Sequence, residues 1–266
     1  MSMLSRLLAI ETLSILSLET SIASAVNTLP IILILCGVSL VLLLALLLPK
    51  RKARPRDLPK KRRNVADSPT DFSIAPAPIG AQPKWLVLDL QTTGLSTVKG
   101  DEDRILEATW LVLDGAYRLI RRRTIWVQQE SLGGEEARSV HHLSGEELER
   151  DGVSELDFLT CFFADLPTSP ITLVMHNAAF DFPILRAMVV RLLPSRLADL
   201  DRCPQFCTMK YPVEELGYGE RYPRLSELSM RLLGISSWQF RALSPVSWRN
   251  AYFTRRCLIA LIEEHL

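Results

Sequence analysis

The chain has 266 residues, of which 48% are hydrophobic, so it is long enough to bury a sizeable core. Its net charge of +1 hides a segregation: residues 50–63 carry nine basic residues and one acidic residue, whereas residues 84–266 carry 21 basic and 25 acidic residues. This acidic balance excludes the broad basic surface that usually accompanies tight nucleic-acid binding. Five cysteines, an odd number in an ordinary-sized chain, exclude a disulfide framework.

The first strongly apolar segment, residues 29–48, contains no charged side chain and is long enough as a helix to cross a hydrocarbon layer about 30 Å thick. We therefore predict one transmembrane helix there. The basic run follows it directly, whereas residues 1–28 carry only Arg6, Glu11 and Glu19. The positive-inside rule then predicts a single-pass protein of the inner membrane, with residues 1–28 outside and the C-terminal domain in the cytoplasm.

Two alternatives stay open around this span. Residues 1–25 have some features of a cleavable signal peptide, but Glu11 and Glu19 interrupt the apolar part and favour an amphipathic segment at the outer surface. The basic run either only fixes the topology or also attracts anionic lipid or nucleic acid. Residues 49–83 are rich in basic residues and proline and lack apolar periodicity, so we predict a linker there and a globular domain over residues 84–266.

The domain opens with three predicted strands. Each is an apolar run of strand length, and a turn at Asp114 and Gly115 suits a hairpin between the second and the third. Asp89 lies near the end of the first strand, before the turn sequence TTGL. The three strands cover residues 85–90, 106–114 and 119–129, and later strands are predicted at residues 171–176 and around Phe206.

Helices are predicted from apolar residues at helical spacing. Ser144 and Glu147 form a capping-box pattern, Pro183 suits a first turn, and Gly234 suits a helix end. The resulting order βββαβαβα predicts an α/β domain with a mixed sheet. The helical segments are residues 144–152, 153–166, 179–193 and 224–235, and a last helix that starts near Val246.

Three side chains near strand ends suggest a polar site. Asp89 and Gln91 point to the same side of their strand, because strand side chains alternate with a period of two. Asp181 lies at a helix start beyond another strand end, so the three could converge at the edge of the sheet. Hydrolysis of a phosphodiester by two divalent ions needs several carboxylates that hold the ions about 3.5–4 Å apart.

A family resemblance enters with residues 89–95, DLQTTGL, which resemble the first motif of the DEDD 3′–5′ exonucleases, Asp-x-Glu-Thr-Thr-Gly-Leu. Later segments resemble the family's following blocks in the same order: ILEATWLVLD (105–114), VHHLSGEEL (140–148), HNAAFDFPIL (176–185) and LSELSMRLLGI (225–235). The match spans residues 84–266. It implies a ribonuclease H-like fold, a mixed five-stranded sheet flanked by helices.

This sequence differs most from the family at the third motif. In its histidine form it is approximately His-Arg-Ala-x-x-Asp-Ala, and we align it here from Trp248. In this register Trp248 takes the position of the general base and Phe253 that of the fourth carboxylate. The tyrosine form, Tyr-x-x-x-Asp, fails because Tyr252 would pair with Arg256.

The resemblance makes Asp89 and Asp181 metal ligands, with Gln91 in place of the second carboxylate. A neutral amide still offers one oxygen, but the loss of two negative charges leaves at most one weakly held Mg²⁺ or Mn²⁺. Trp248 cannot act as a base, because its indole nitrogen is only a donor. We therefore expect efficient two-metal hydrolysis to be lost.

Other polar residues have a binding and a structural interpretation. Thr92, Thr93, Gly94 and Leu95 resemble the family's contact region for the terminal nucleotide, and they also suit a turn after a buried strand. His176 and Asn177 belong to the same expected nucleotide site, with His176 as a structural hydrogen-bonder. The remaining candidates are expected to be structural or solvent-exposed: Glu107 inside the sheet, His141 and His142 in a surface loop, Arg121–Arg123 on an exposed strand, and Cys203 and Cys207 as reduced thiols.

Three functions stay open from the sequence. The first is a membrane-anchored, catalytically impaired exonuclease-like domain that binds nucleic acid, a nucleotide or a protein partner. The second is an active metal-dependent 3′–5′ exonuclease on single-stranded ends. The third is a protein-interaction module tethered at the membrane, with no ligand in the cleft.

Overall fold

The computed structural model of the protein describes residues 72–98 and 101–263. The predicted outer segment 1–28, the predicted transmembrane helix 29–48 and most of the predicted linker lie outside these residues. In the part of the chain that is described, no helix is long and apolar enough to cross a membrane.

A five-stranded sheet forms the centre of the described domain, with the strand order β3-β2-β1-β4-β5. β1 is antiparallel to β2, and β2 to β3, whereas β4 is parallel to β1 and β5 is parallel to β4. This confirms the predicted mixed five-stranded sheet. The strands are β1 (Pro83–Thr92), β2 (Ile105–Asp114), β3 (Leu119–Trp126), β4 (Thr172–Met175) and β5 (Gln205–Cys207).

Helices cover both faces of this sheet, and the predicted ones are present in the predicted order. Four shorter helices were not predicted, namely α1, α5, α6 and α8, because each has few apolar positions. The helices are α1 (Glu135–His141), α2 (Gly145–Asp151), α3 (Glu155–Asp165), α4 (Ala178–Leu192), α5 (Leu197–Asp201), α6 (Tyr211–Glu214), α7 (Leu225–Leu233), α8 (Ser237–Arg241) and α9 (Val246–Glu263).

The alternation of side chains along β1 divides the core into two layers. Leu86, Leu88 and Leu90 pack with α3 and α4, and Val87 packs with α7 and α9 on the opposite face. Every residue of β2 is buried. Because Asp89 and Gln91 have the same parity as Val87, their side chains are directed to the face that α9 covers.

Two local signals at helix ends are confirmed. Ser144 caps α2 and forms the capping box with Glu147, and Gly234 ends α7 in the left-handed conformation with φ 67°. The expectation for Pro183 is wrong. α4 already begins at Ala178, directly after the strand, so Pro183 lies in its second turn and not in its first.

Residues before the predicted domain start at Lys84 also pack on the domain. Phe72 lies edge-on to Tyr252 of α9, with ring centroids 5.7 Å apart. Leu119, at the start of β3, donates a backbone hydrogen bond to Ala75 and accepts one from Ala77, both 2.8 Å long. The packing of the described domain therefore includes residues up to a dozen positions before the predicted start at Lys84.

Candidate active site

Four polar side chains meet where β1 ends. Asp89 and Gln91 come from β1, Asp181 from the first turn of α4, and Asn250 from the second turn of α9. Asp181 is buried and Asp89 is half-buried. The predicted convergence of Asp89, Gln91 and Asp181 is present in the structure, and Asn250 is an addition that the sequence did not reveal.

Both amides donate to the same carboxylate oxygen. Gln91 Nε2 lies 2.7 Å from Asp89 Oδ2, and Asn250 Nδ2 lies 3.4 Å from that atom. Gln91 Nε2 also lies 3.1 Å from the carbonyl oxygen of Leu90. Amide hydrogens carry partial positive charge, so they occupy the direction from which Asp89 Oδ2 would bind a cation.

The two remaining carboxyl groups repel each other. Burial and the neighbouring Asp181 raise the pKa of Asp89 well above its ordinary value, although the hydrogen bonds from Gln91 and Asn250 oppose this. Burial also raises the pKa of Asp181 to about 8, against a backbone hydrogen bond from Leu90. Near neutral pH the pair therefore resists carrying two negative charges.

The structure does not bring Trp248 or Phe253 to this cluster. The Trp248 ring is buried, lies 3.7 Å from the guanidinium carbon of Arg122, and is edge-on to Tyr252. Phe253 stacks on Phe240 at 4.8 Å between ring centroids. The expectation that Trp248 stands at the general-base position, with Phe253 at the fourth ligand position, is therefore wrong.

The contact between Asn250 and Asp89 brings Asn250 of α9 to the cluster. When Asn250 is aligned with the aspartate of the expected pattern His-Arg-Ala-x-x-Asp-Ala, Ala251 matches the final alanine and Pro245 stands at the histidine position. In that register the amides of Gln91 and Asn250 stand where the resemblance would place carboxylates, and Pro245 has no titratable group.

A cleft of about 780 Å³ opens above the four side chains. One wall is the segment Thr92–Leu95, and the opposite wall is α1. Leu95 is 82% exposed at the rim, and Phe180 lies inside. Because neither Trp248 nor Phe253 lines the cleft, they leave Asp89 and Asp181 unobstructed.

The segment Thr92–Leu95 is both a cleft wall and a rigid turn. Thr92 Oγ1 donates to the carbonyl oxygen of Gly94 at 2.6 Å, and Thr93 Oγ1 donates to Asp103 at 2.7 Å. A Cβ atom at Gly94 would lie 2.5 Å from the Asp103 carboxylate, so only glycine fits without a shift. The structure confirms the turn, and because the segment also lines the cleft, the contact with a nucleotide stays a prediction.

His176 is held by hydrogen bonds on both ring nitrogens. Nδ1 lies 3.0 Å from Thr208 Oγ1, and Nε2 lies 3.1 Å from the carbonyl oxygen of Pro223. Burial lowers the pKa of His176 to about 4, so the ring is neutral and Nε2 donates to Pro223. This supports a structural role rather than that of a substitute base. Asn177 lines the cleft at the start of α4.

His141 differs from its expectation as a residue of a surface loop. It is the last residue of α1 and is buried, with Nε2 3.1 Å from the carbonyl oxygen of Leu132. Its Nδ1 accepts a hydrogen bond from the backbone of Leu143. His142 is exposed and ends the helix with φ 59°. The sequence signal for α1 was the pair Glu135 and Glu136 after two glycines, an acidic helix start.

The three arginines of β3 all have partners, so they do not form a free binding surface. Arg121 and Arg123 both pair with Asp165, whose side chain is buried, and Arg122 stacks on Trp248. Glu107 is buried opposite Gln91 and accepts a hydrogen bond from Trp126, in keeping with a structural role.

The donor set does not fit a pair of divalent ions. Within residues 72–98 and 101–263, no group of three or more histidine, cysteine, aspartate or glutamate side chains could hold a metal ion. Cys203 and Cys207 each donate a thiol hydrogen bond to a backbone carbonyl and are ordinary thiols. Asp89 and Asp181 are left with amides where two more anionic ligands would be needed.

No protein-family model matches the chain, and no curated protein matches its sequence. Solved structures do match its fold. A zinc-bound complex of E. coli exonuclease I with single-stranded DNA is 16% identical, with a TM-score of 0.55, and covers 69% of this chain and 41% of its own. A product-bound exonuclease I is 15% identical, with a TM-score of 0.55, and covers 68% and 44%. A complex of exonuclease I with the SSB C-terminus is 16% identical, with a TM-score of 0.53, and covers 69% and 42%.

These likenesses establish the fold class: a mixed five-stranded α/β domain with the architecture of exonuclease I. The chain spans about two fifths of the length of the exonuclease I chains that it matches.

Proposed function

We propose that this protein is a membrane-anchored, exonuclease-like domain that binds the end of a single nucleic-acid strand without efficient hydrolysis. One observation carries the loss of hydrolysis: Gln91 and Asn250 direct amide hydrogens at Asp89 Oδ2, where the family resemblance requires carboxylates around a metal. With Pro245 in the base position, no side chain there can take a proton from attacking water.

Binding is supported by the shape of the cleft and its lining. Its volume of about 780 Å³ suits a nucleotide, and its walls are mainly apolar. Leu95, Val140 and Phe180 offer faces on which a base can pack, while Thr93 and Gly94 belong to one wall. The anchor rests on the uncharged segment 29–48 and the basic run that follows it.

The test uses the purified full chain and a 5′-labelled single-stranded oligonucleotide with Mg²⁺ or Mn²⁺. We expect no shortening of the strand above that of the Asp89→Ala variant, and measurable binding by fluorescence anisotropy. Leu95→Ala should weaken binding about ten-fold through lost base contact. Val190→Ala, a truncation of an exposed valine on α4, is the matched control and should leave binding unchanged.

A second function, single-metal hydrolysis, is favoured by the open access to Asp89 and Asp181 and by the freedom of each amide to present its oxygen instead. Shortening of the strand that requires metal and disappears in Asp89→Ala would establish it and overturn the first proposal. No binding of the oligonucleotide or of a mononucleotide would point instead to a protein-interaction module.

A further inference from the structure

The cleft combines apolar walls with negative charge. Its described lining includes the carboxylates of Asp89, Glu135, Glu136 and Asp181 and contains no lysine or arginine. Glu135 and Glu136 are exposed on the wall formed by α1. These two exposed carboxylates attract an approaching cation to this wall of the cleft.

One segment of this chain has the complementary chemistry. Residues 54–63, RPRDLPKKRR, lie outside the described residues and carry six basic side chains and one acidic side chain. Leu58 stands between the basic residues and matches the apolar surface that Leu95 and Val140 present at the rim. Leu95 and Val140 are 82% and 59% exposed, so this surface is available.

The segment is close enough to reach the cleft. Eight residues lie between Arg63 and Phe72, and this stretch of chain spans up to about 30 Å when extended. Phe72 packs against Tyr252, which follows Asn250 by two residues on α9. Leu119, which is bonded to Ala75, pairs with Leu113, and Leu113 pairs with Trp85, four residues before Asp89 on β1. Four residues span about 13 Å along a strand, which is less than the reach of the residues between Arg63 and Phe72.

We propose that residues 54–63 dock into the cleft of their own chain. The basic side chains pair with Glu135 and Glu136, and Leu58 packs between Leu95 and Val140. This inference goes beyond the proposed function, because it identifies an occupant that competes with any strand for the same cleft. It holds whether or not the cleft binds nucleic acid.

Trypsin provides a direct test, because it cleaves after the basic residues that the docking would shield. The full chain in an uncharged detergent is digested briefly, and cleavage after Lys60–Arg63 is followed by mass spectrometry. Glu135→Gln with Glu136→Gln should accelerate this cleavage about five-fold, since each exposed ion pair contributes modestly. Raising the salt concentration to about 0.5 M should have a similar effect through screening.

A control variant with the same change of charge makes the result decisive. Glu146→Gln with Glu215→Gln removes the same charge from exposed positions that do not line the cleft, and it should leave the rate unchanged. Equal cleavage rates in the wild type and the Glu135→Gln/Glu136→Gln variant would overturn the proposal. Protection that depends on added phosphatidylglycerol vesicles and not on these glutamates would also overturn it, in favour of a lipid-bound segment. Protection that rises with protein concentration would assign the segment to a second copy.

Discussion

The two sides of the candidate site differ in charge. β1 and α4 contribute the carboxyl groups of Asp89 and Asp181, whereas α9 faces them with Asn250 and with Pro245 at its N-terminal edge. Yet α9 is well packed, with Ala251 and Phe253 buried. The difference teaches that packing and charge are separate requirements. An amide fills the space of a carboxylate and satisfies the fold, but it removes the charge that a metal ion needs.

The largest effect should come from Trp248→Ala, which tests whether this part of α9 is structural. Removing a buried indole should lower the free energy of unfolding by about 3–5 kcal/mol, as a large cavity does. Thermal and urea unfolding measure this, and binding in the cleft below the transition should persist. Trp238→Ala, at a position 66% exposed, should stay within about 0.5 kcal/mol. If the Trp248→Ala variant were stable but no longer bound ligand, Trp248 would belong to the ligand-binding site.

Gly133→Ala tests the opposite wall. Gly133 precedes α1 and has φ 79°, and a Cβ atom there would lie 1.7 Å from the carbonyl oxygen of Thr93, so this loop and the TTGL turn cannot keep their contact. We expect a loss of about 2–4 kcal/mol in unfolding free energy, together with weaker ligand binding. Gly134→Ala is the matched control, because a Cβ atom at that position meets nothing within 4 Å. Equal stability of the two variants would contradict the observed contact.

Gln91→Glu combined with Asn250→Asp tests whether the lack of negative charge at these two positions is enough to explain weak metal binding. Restoring two carboxylates beside Asp89 should tighten Mn²⁺ binding about a hundred-fold, since hard dications favour anionic oxygen ligands. Isothermal titration calorimetry on the full chain measures this. Gln82→Glu with Gln205→Glu adds the same charge at exposed positions and should not change the affinity. Unchanged affinity in the first variant would show that the geometry, and not only the charge, has been lost.

The remaining prediction concerns the pH dependence of stability without metal, whose effect is small per pH unit. The folded-state pKa of Asp181 is raised to about 8 by burial, so the native state binds more protons than the unfolded state between about pH 4 and pH 8. This stabilisation of the native state is fully present below the pKa that Asp181 has in the unfolded chain. It is lost as pH rises through the pKa of Asp181 in the folded state, by at most about 1.4 kcal/mol per pH unit. Asp181→Asn should flatten this slope in urea titrations. A wild-type stability that increases over this range would refute the assignment.

The sequence predicted the sheet and the larger helices because their apolar periodicity is strong, and it placed Asp89, Gln91 and Asp181 together because strand parity and strand ends determine where they point. It failed on α9. That helix is buried on several sides, so Trp248 and Phe253 could not be recognised as core residues from periodicity alone. Ala251, which matches the alanine that ends the family motif, was the available clue to Asn250. α1 was missed because only His141 in it is buried.

The two backbone hydrogen bonds that join Ala75 and Ala77 to Leu119 have a mechanical consequence. Leu119 pairs with Leu113, at the end of the sheet opposite Gln91 and the cleft. Tension that arrives through the residues before Phe72 is therefore borne first by these bonds and by the wedged Phe72 ring. The cleft lies beyond them along β1. A force applied to the described domain at Phe72 would therefore load these bonds before it reached the geometry around Asp89.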